Sequence, residues 1–126
     1  MLRLIIGGRA SGKRNRLLSL GFTAQQIFDG ETGPLEHAYD GPALDGLHAF
    51  VRRLMEAGED PSQILDGIGR GAVCAVTCDE VGCGVIPLDG FDRDYREAVG
   101  RLCCELAAQA EIVERMYCGI PTVIKP

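Results

Sequence analysis

The apolar positions of this chain alternate between two kinds of pattern. Short, nearly continuous runs of strand length occur at Leu2-Arg3-Leu4-Ile5-Ile6 and at Ala72-Val73-Cys74-Ala75-Val76-Thr77-Cys78. Runs of that kind suit parallel strands covered on both faces. Between and after them the period is helical. Leu47, Phe50, Val51, Leu54 and Met55 fall at i, i+3, i+4, i+7 and i+8, one face of a helix, with Asp45 placed to cap its start and Gly58 to follow its end. Asp60-Pro61-Ser62-Gln63 signals a second, shorter helix that should stop by Gly67, with Gln63 set for a capping box. The longest pattern runs from Asp92 to Ala110, where Tyr95, Val99, Leu102, Leu106 and Ala110 form a stripe widened by Cys103. At about 1.5 Å per residue this helix spans roughly 28 Å, enough to cross a small sheet. Ile112 to Cys118 and Thr122 to Lys125 read as two short strands joined through Gly119-Ile120-Pro121, an antiparallel hairpin at a sheet edge. Residues 30–46, rich in Gly, Pro, Asp and Glu with no sustained period, read as a long loop.

The candidate chemistry begins directly after the first strand. Gly7-Gly8-Arg9-Ala10-Ser11-Gly12-Lys13-Arg14 fits G-x-x-x-x-G-K-[ST] at seven of its eight positions and precedes the helical pattern Asn15-Arg16-Leu17-Leu18-Ser19-Leu20. Strand, glycine-rich turn and helix in that order are the context of a phosphate-binding loop. The glycines expose successive backbone N–H groups to a polyphosphate, and Lys13 adds a cation beside its oxygens. The other reading of the stretch is a glycine-rich turn without a ligand. Arg14 stands where a hydroxyl normally holds Mg²⁺, and an arginine cannot ligate a cation. Phosphate binding is therefore the expectation, with ATP or GTP as ligand, and a role for Mg²⁺ is in doubt.

Two acidic strand ends complete the candidate set. Ala24-Gln25-Gln26-Ile27-Phe28 leads into Asp29-Gly30-Glu31-Thr32, and the long apolar run ends at Asp79-Glu80. A carboxylate past the carboxyl end of a strand beside a phosphate loop is where α/β nucleotide sites keep their metal-water ligand. Asp29 is thus the candidate metal residue, or else an ordinary turn residue before Gly30. Glu80 could orient a substrate hydroxyl or a metal-bound water, or cap local backbone groups. The architecture expected is a single three-layer α/β P-loop domain over residues 1–126, its mostly parallel sheet closed by an antiparallel C-terminal edge hairpin.

Composition narrows the partners. The 126 residues carry 13 basic and 18 acidic side chains, a net charge of −5. That argues against a nucleic-acid binder, whose affinity rests on clustered positive charge. No apolar run approaches the roughly 20 residues of a membrane span, and the arginine-interrupted start does not read as a signal peptide. The six cysteines, Cys74, Cys78, Cys83, Cys103, Cys104 and Cys118, lie in apolar patterns that suit reduced thiols in a cytoplasmic core. With no C-x-x-C pair and irregular spacing they do not read as a zinc site.

The C-terminal half resembles the adenosylcobinamide kinase/adenosylcobinamide-phosphate guanylyltransferase family of cobalamin nucleotide-loop assembly. The residues that carry the resemblance are Asp79-Glu80-Val81-Gly82, Gly84-Val85-Ile86-Pro87, Tyr95-Arg96-Glu97, Gly100-Arg101, Leu106-Ala107 and Gly119-Ile120-Pro121-Thr122-Val123-Ile124-Lys125. They are similar to the family's N-E-V-G-x-G-I-V-P, F-R-D, G-R-x-N-Q-x-L-A and closing strand, and the glycine-rich loop is similar to its G-G-x-x-S-G-K-S. Asp79 replaces the family's Asn, Cys103 and Cys104 its Asn-Gln pair, and Arg14 the loop Ser, while the middle of the chain is shorter. His48 and Arg52 reproduce H-x-x-x-R of the family's guanylylated-histidine setting, without the proline that follows it there, and helix packing alone also explains the apolar spacing around them; His37 lies in the loop before. The family's apolar run into D-C-L-T is matched loosely by Ile27-Phe28-Asp29-Gly30-Glu31-Thr32. The resemblance implies NTP-dependent phosphoryl transfer to a corrinoid alcohol, with Lys13 and Glu80 as catalytic residues, and a trimeric assembly. The departures imply lost guanylyl transfer, or a family member that binds nucleotide, corrinoid or an assembly partner without turnover.

Overall fold

The computed structural model of the chain describes residues 1–80 and 89–126. Its strands are β1 (Arg3–Gly7), β2 (Ile27–Asp29), β3 (Ala43–Asp45), β4 (Ala75–Asp79), β5 (Ile112–Tyr117) and β6 (Ile120–Lys125). Its helices are α1 (Lys13–Ser19), α2 (Leu47–Glu56), α3 (Gln63–Arg70) and α4 (Gly90–Gln109). One sheet holds the strands in the order β2-β3-β4-β1-β5-β6. Every pair is parallel except β5–β6. This is the mostly parallel, P-loop-like α/β sheet with an antiparallel edge that the sequence predicts.

Alternation along the strands sorts the side chains onto two apolar faces. Leu4, Leu44, Val76, Cys78 and Val113 pack with α2, α3 and α4 through Phe50, Leu54, Ile64, Val99 and Leu106. Ile5, Ala43, Ala75 and Met116 face the other way and are covered by Leu17 of α1 with Leu20 and Phe22. Three layers result. The stripe predicted on α4 is the one buried, Tyr95, Val99, Leu102 and Leu106, and Asp89 caps the helix, its Oδ1 accepting from the Asp92 N–H at 2.7 Å. Phe50 sits between Phe28 and Tyr39 in edge-to-face contacts at 5.7 and 5.9 Å, an arrangement favoured by the ring quadrupoles.

Four expectations need correction. Residues 30–46 are not one loop: Ala43–Asp45 form β3, which pairs β2 on one side and β4 on the other. A strand of three residues is too short to display a period, but Ala43 and Leu44 are fully buried and the sheet's neighbours hold it. Asp45 does not cap α2. It is the last residue of β3, and α2 starts from Gly46 with no side-chain cap. Helix α3 continues through Gly67 to Arg70; the glycine there makes room for the Tyr39 ring, which a Cβ would meet at 2.4 Å, and does not end the helix. The hairpin turn is Cys118-Gly119 rather than 119–121, both residues at positive φ of 51° and 78°. That is the geometry whose twist matches two antiparallel strands.

Among the described cysteines, Cys78 is buried while Cys104 and Cys118 are exposed, so the expectation of core thiols holds only in part. Cys83 and the stretch Val81–Pro87, which carries part of the family resemblance, lie outside the described residues. Among the described residues no helix is long and apolar enough to cross a membrane.

Candidate functional site

Because the sheet is parallel from β2 to β5, the carboxyl ends of those strands lie along one edge. The chain leaves β1 over the α1 face towards β2, and leaves β4 over the α4 face to reach β5. Neighbouring strands whose connections depart in opposite directions open a crevice at their carboxyl ends. The register sets Asp79 beside Gly7 and Asp29 beside Asp45. Three strand-end carboxylates therefore line one edge next to the glycine-rich turn. A cavity of about 700 Å³ opens there, walled by residues 9–15, by the three aspartates and by His48, Arg52, Thr77 and Tyr95.

The turn is held by its own backbone and by the hairpin. Ser11 N–H donates to the Gly8 carbonyl at 3.2 Å, and Gly119 N–H donates to the Ser11 carbonyl at 3.0 Å. Gly12 has φ +96°, and a Cβ on it would stand 3.1 Å from Gly119, so conformation and space both require glycine there. Lys13 is buried, and its Nζ donates to the Gly8 carbonyl at 2.6 Å and the Gly7 carbonyl at 3.3 Å. The same ammonium lies 2.7 Å from Asp79 Oδ1. Lys13 thus closes a ring between the turn and the end of β4.

Asp79 also engages His48 from the first turn of α2. Its N–H donates to His48 Nδ1 at 3.1 Å, which leaves the proton on Nε2, 3.3 Å from Asp79 Oδ2. Burial pushes the His48 pKa down; Asp79 opposes that shift and Lys13 adds to it. The ring is neutral at pH 7 as a result. Asp45 stands at the end of β3 with both oxygens occupied. The Thr77 hydroxyl donates to Oδ1, and Arg14 Nη1 lies 3.4 Å from Oδ2. Gly46 N–H donates to Thr77 Oγ1 at 2.9 Å, so the hydroxyl proton is directed at Asp45. Beyond His48 the wall is Arg52, whose guanidinium lies 5.4 Å from the Phe91 ring and 5.1 Å from the Tyr95 ring. Burial raises the Tyr95 pKa to about 12, so its phenol keeps its proton.

Lys13, Arg14 and Asp29 all reach this cavity, as do Arg9, Ala10, Ser11 and Gly12; Gly7 and Gly8 supply carbonyls to Lys13. Asp29 turns inward on its own loop, accepting from Glu31 N–H at 2.9 Å and the Thr32 hydroxyl at 3.0 Å. Glu80 is not part of the wall. Its carboxylate pairs with Arg115 of β5 at 2.9 and 3.2 Å. His37 is exposed and paired with Asp40 at 2.8 Å, apart from the cavity wall. Asp45 is the residue that sequence reasoning missed. The apolar run into Asp-x-Leu that was set against Ile27-Phe28-Asp29 fits Ala43-Leu44-Asp45-Gly46-Leu47 more closely, once β3 is recognised as a strand.

Fold and site together define a P-loop-like α/β domain with a basic turn and three strand-end carboxylates at one crevice. The family model for cobinamide kinase/cobinamide phosphate guanyltransferase matches residues 43–124, more than half of the chain. The chain belongs to that family, and the role that goes with membership is a nucleotide-binding, kinase/guanyltransferase-like one in cobalamin biosynthesis. The matched segment holds β3 to β6 with Asp45, His48 and Asp79, and the glycine-rich turn precedes it. No curated protein matches the chain.

Proposed function

We propose that the crevice binds ATP or GTP with its polyphosphate on residues 7–14, and that the chain transfers a phosphoryl group to the hydroxyl of a corrinoid alcohol. The observation that carries this reading is the placement of Lys13, a buried ammonium in the wall of the cavity, 2.7 Å from Asp79. An ammonium held by two carbonyls and a carboxylate is positioned before ligand arrives and can exchange the carboxylate for phosphate oxygens, where charge develops during transfer. Exposed Arg9 and Arg14 add two further cations beside the turn.

The acceptor belongs on the other wall, against His48, Arg52 and Tyr95. Once Lys13 turns to phosphate, Asp79 is released as an acceptor for the hydroxyl proton, with neutral His48 Nε2 standing 3.3 Å from its second oxygen. Asp79 replaces Glu80 in that role, because Asp79 lines the cavity and Glu80, paired with Arg115, does not. His48 lacks the neighbouring proline of the family setting, and its Nδ1 accepts from the Asp79 N–H, so no GMP adduct is expected on it.

A second reading, nucleotide binding without turnover, is favoured by the Arg14–Asp45 contact at 3.4 Å. The test incubates the protein with ATP or GTP and cobinamide, and follows corrinoid mass. Gain of one phosphate, lost in Asp79→Asn but retained in Glu80→Gln, supports the transfer reading. Nucleotide binding with no phosphorylated corrinoid supports the second. A protein mass increase equal to GMP, lost in His48→Ala, would contradict the assignment of His48.

A further inference from the structure

P-loop folds of this kind imply a divalent cation held between nucleotide phosphates, a hydroxyl at the end of the glycine-rich turn and a strand-end carboxylate. The residues here do not fit that ion. Arg14 occupies the hydroxyl position and presents only N–H donors. The strand-end carboxylate beside it, Asp45, is filled from both sides, by the Thr77 hydroxyl on Oδ1 and by Arg14 on Oδ2. Asp79 is taken by Lys13 and His48, and Asp29 by its own turn. Among the described residues no group of three or more His, Cys, Asp or Glu could hold a metal ion.

Resting on the reading of this turn as the nucleotide site, we infer that Arg14 is the resident counter-charge of the site, oriented by Asp45 and Thr77, and that the crevice takes free rather than metal-complexed nucleoside polyphosphate. Arg14 follows Lys13 and lines the same cavity. Its side chain is 47 % exposed, so N–H groups beyond the one facing Asp45 remain open to a ligand. A guanidinium offers its donors in a planar fork that matches two phosphate oxygens. Asp45 supplies aim rather than metal ligation, and Thr77, itself fixed by Gly46 N–H, keeps Asp45 from rotating away. The cation that other sites recruit from solution is here carried by the chain, one residue beyond the lysine.

The test is a calorimetric titration of ATP and of GTP in excess EDTA and again in millimolar Mg²⁺, for the unmodified protein, Arg14→Ser and Arg14→Lys. The unmodified protein should bind within threefold under the two conditions. Arg14→Ser should lose at least tenfold in EDTA and recover part of the loss in Mg²⁺. Arg14→Lys, which keeps the charge, should fall between. Circular dichroism checks that the variants remain folded, as a half-exposed side chain allows. Binding by the unmodified protein that weakens more than tenfold in EDTA overturns the inference and leaves the nucleotide reading standing. Undiminished binding by Arg14→Ser in EDTA also overturns it. Binding of neither nucleotide under either condition defeats the nucleotide reading itself, and the inference falls with it.

Discussion

Two acid–base centres lie on opposite sides of β1 and behave differently. On the β5 side, Glu114 is buried and receives Arg16 at 2.7 and 3.0 Å and Arg3 at 2.8 Å. On the β4 side, Asp79 and Asp45 receive Lys13 and Arg14 at 2.7 and 3.4 Å. The pairs have similar chemistry and different surroundings. Glu114 has two guanidinium partners and its side chain is 1 % exposed, so no ligand reaches its carboxylate. Asp45 and Asp79 have about a fifth of their side-chain surface exposed, and their cations line an open cavity. An ion cluster is a site when its partners can be exchanged for a ligand, and a structural joint when they cannot.

The largest effect expected is at the closed centre. Glu114→Gln removes the charge that neutralises Arg3 and Arg16 across β1, β5 and α1. It should cost about 3 kcal/mol, within the range for a buried pair that loses one partner, measured by urea unfolding. Nucleotide affinity should stay within twofold. The Arg16 hydrogen bonds hold the Glu114 pKa below its usual 4.5, with burial opposing. A depressed carboxylate binds its proton less readily when folded, so its stabilisation is complete above about pH 4.5 and fades as the pH falls below. The acid limb of the stability profile should therefore flatten in Glu114→Gln. An unchanged acid limb would break the comparison from the structural side.

At the open centre the order reverses. Lys13→Ala should weaken ATP and GTP binding by about thirtyfold, the loss of about 2 kcal/mol expected for hydrogen bonds from a charged donor. Its urea midpoint should move little, since Asp79 is part-exposed. A variant that unfolds yet, where folded, binds nucleotide normally would place Lys13 with Glu114 as a joint. A smaller, opposite effect is expected for Asp79→Asn. Removing the carboxylate that competes for Lys13 should tighten nucleotide binding about fivefold, in line with about 1 kcal/mol for a partly exposed pair. Weaker binding in that variant would mean that Asp79 positions Lys13 rather than restrains it.

How much of this was legible in the sequence follows from the length and locality of each signal. Helix α4 was readable because its twenty residues repeat one stripe, and β4 because the seven residues Ala72–Cys78 are apolar or small enough for a covered strand. The glycine-rich turn was readable because its residues are contiguous. Strand β3 was hidden because three residues carry no period and Pro42 with Gly41 precede them; losing β3 also displaced the strand-end aspartate from Asp45 to Asp29. The ion pairs were invisible for a different reason. Arg14 and Asp45 are 31 positions apart and Arg16 and Glu114 are 98 apart, and only the sheet order brings them together. Glu80 shows the converse: it follows β4 as the sequence indicates, but its carboxylate pairs with Arg115 of β5, 35 positions away.

The most direct measurement is a ¹H–¹⁵N correlation spectrum of the isotopically labelled protein, titrated with GTP and with ATP. The amides of Gly8 to Arg14 should shift most, followed by those of Gly46, His48 and Asp79 as Lys13 leaves its carboxylate for phosphate, while those around Glu114 hold still. Shifts centred instead on the small groove between the start of α3 and α4, at Ser62, Leu65 and Arg101, or no saturable shift with either nucleotide, would contradict the assignment of the crevice as the nucleotide site.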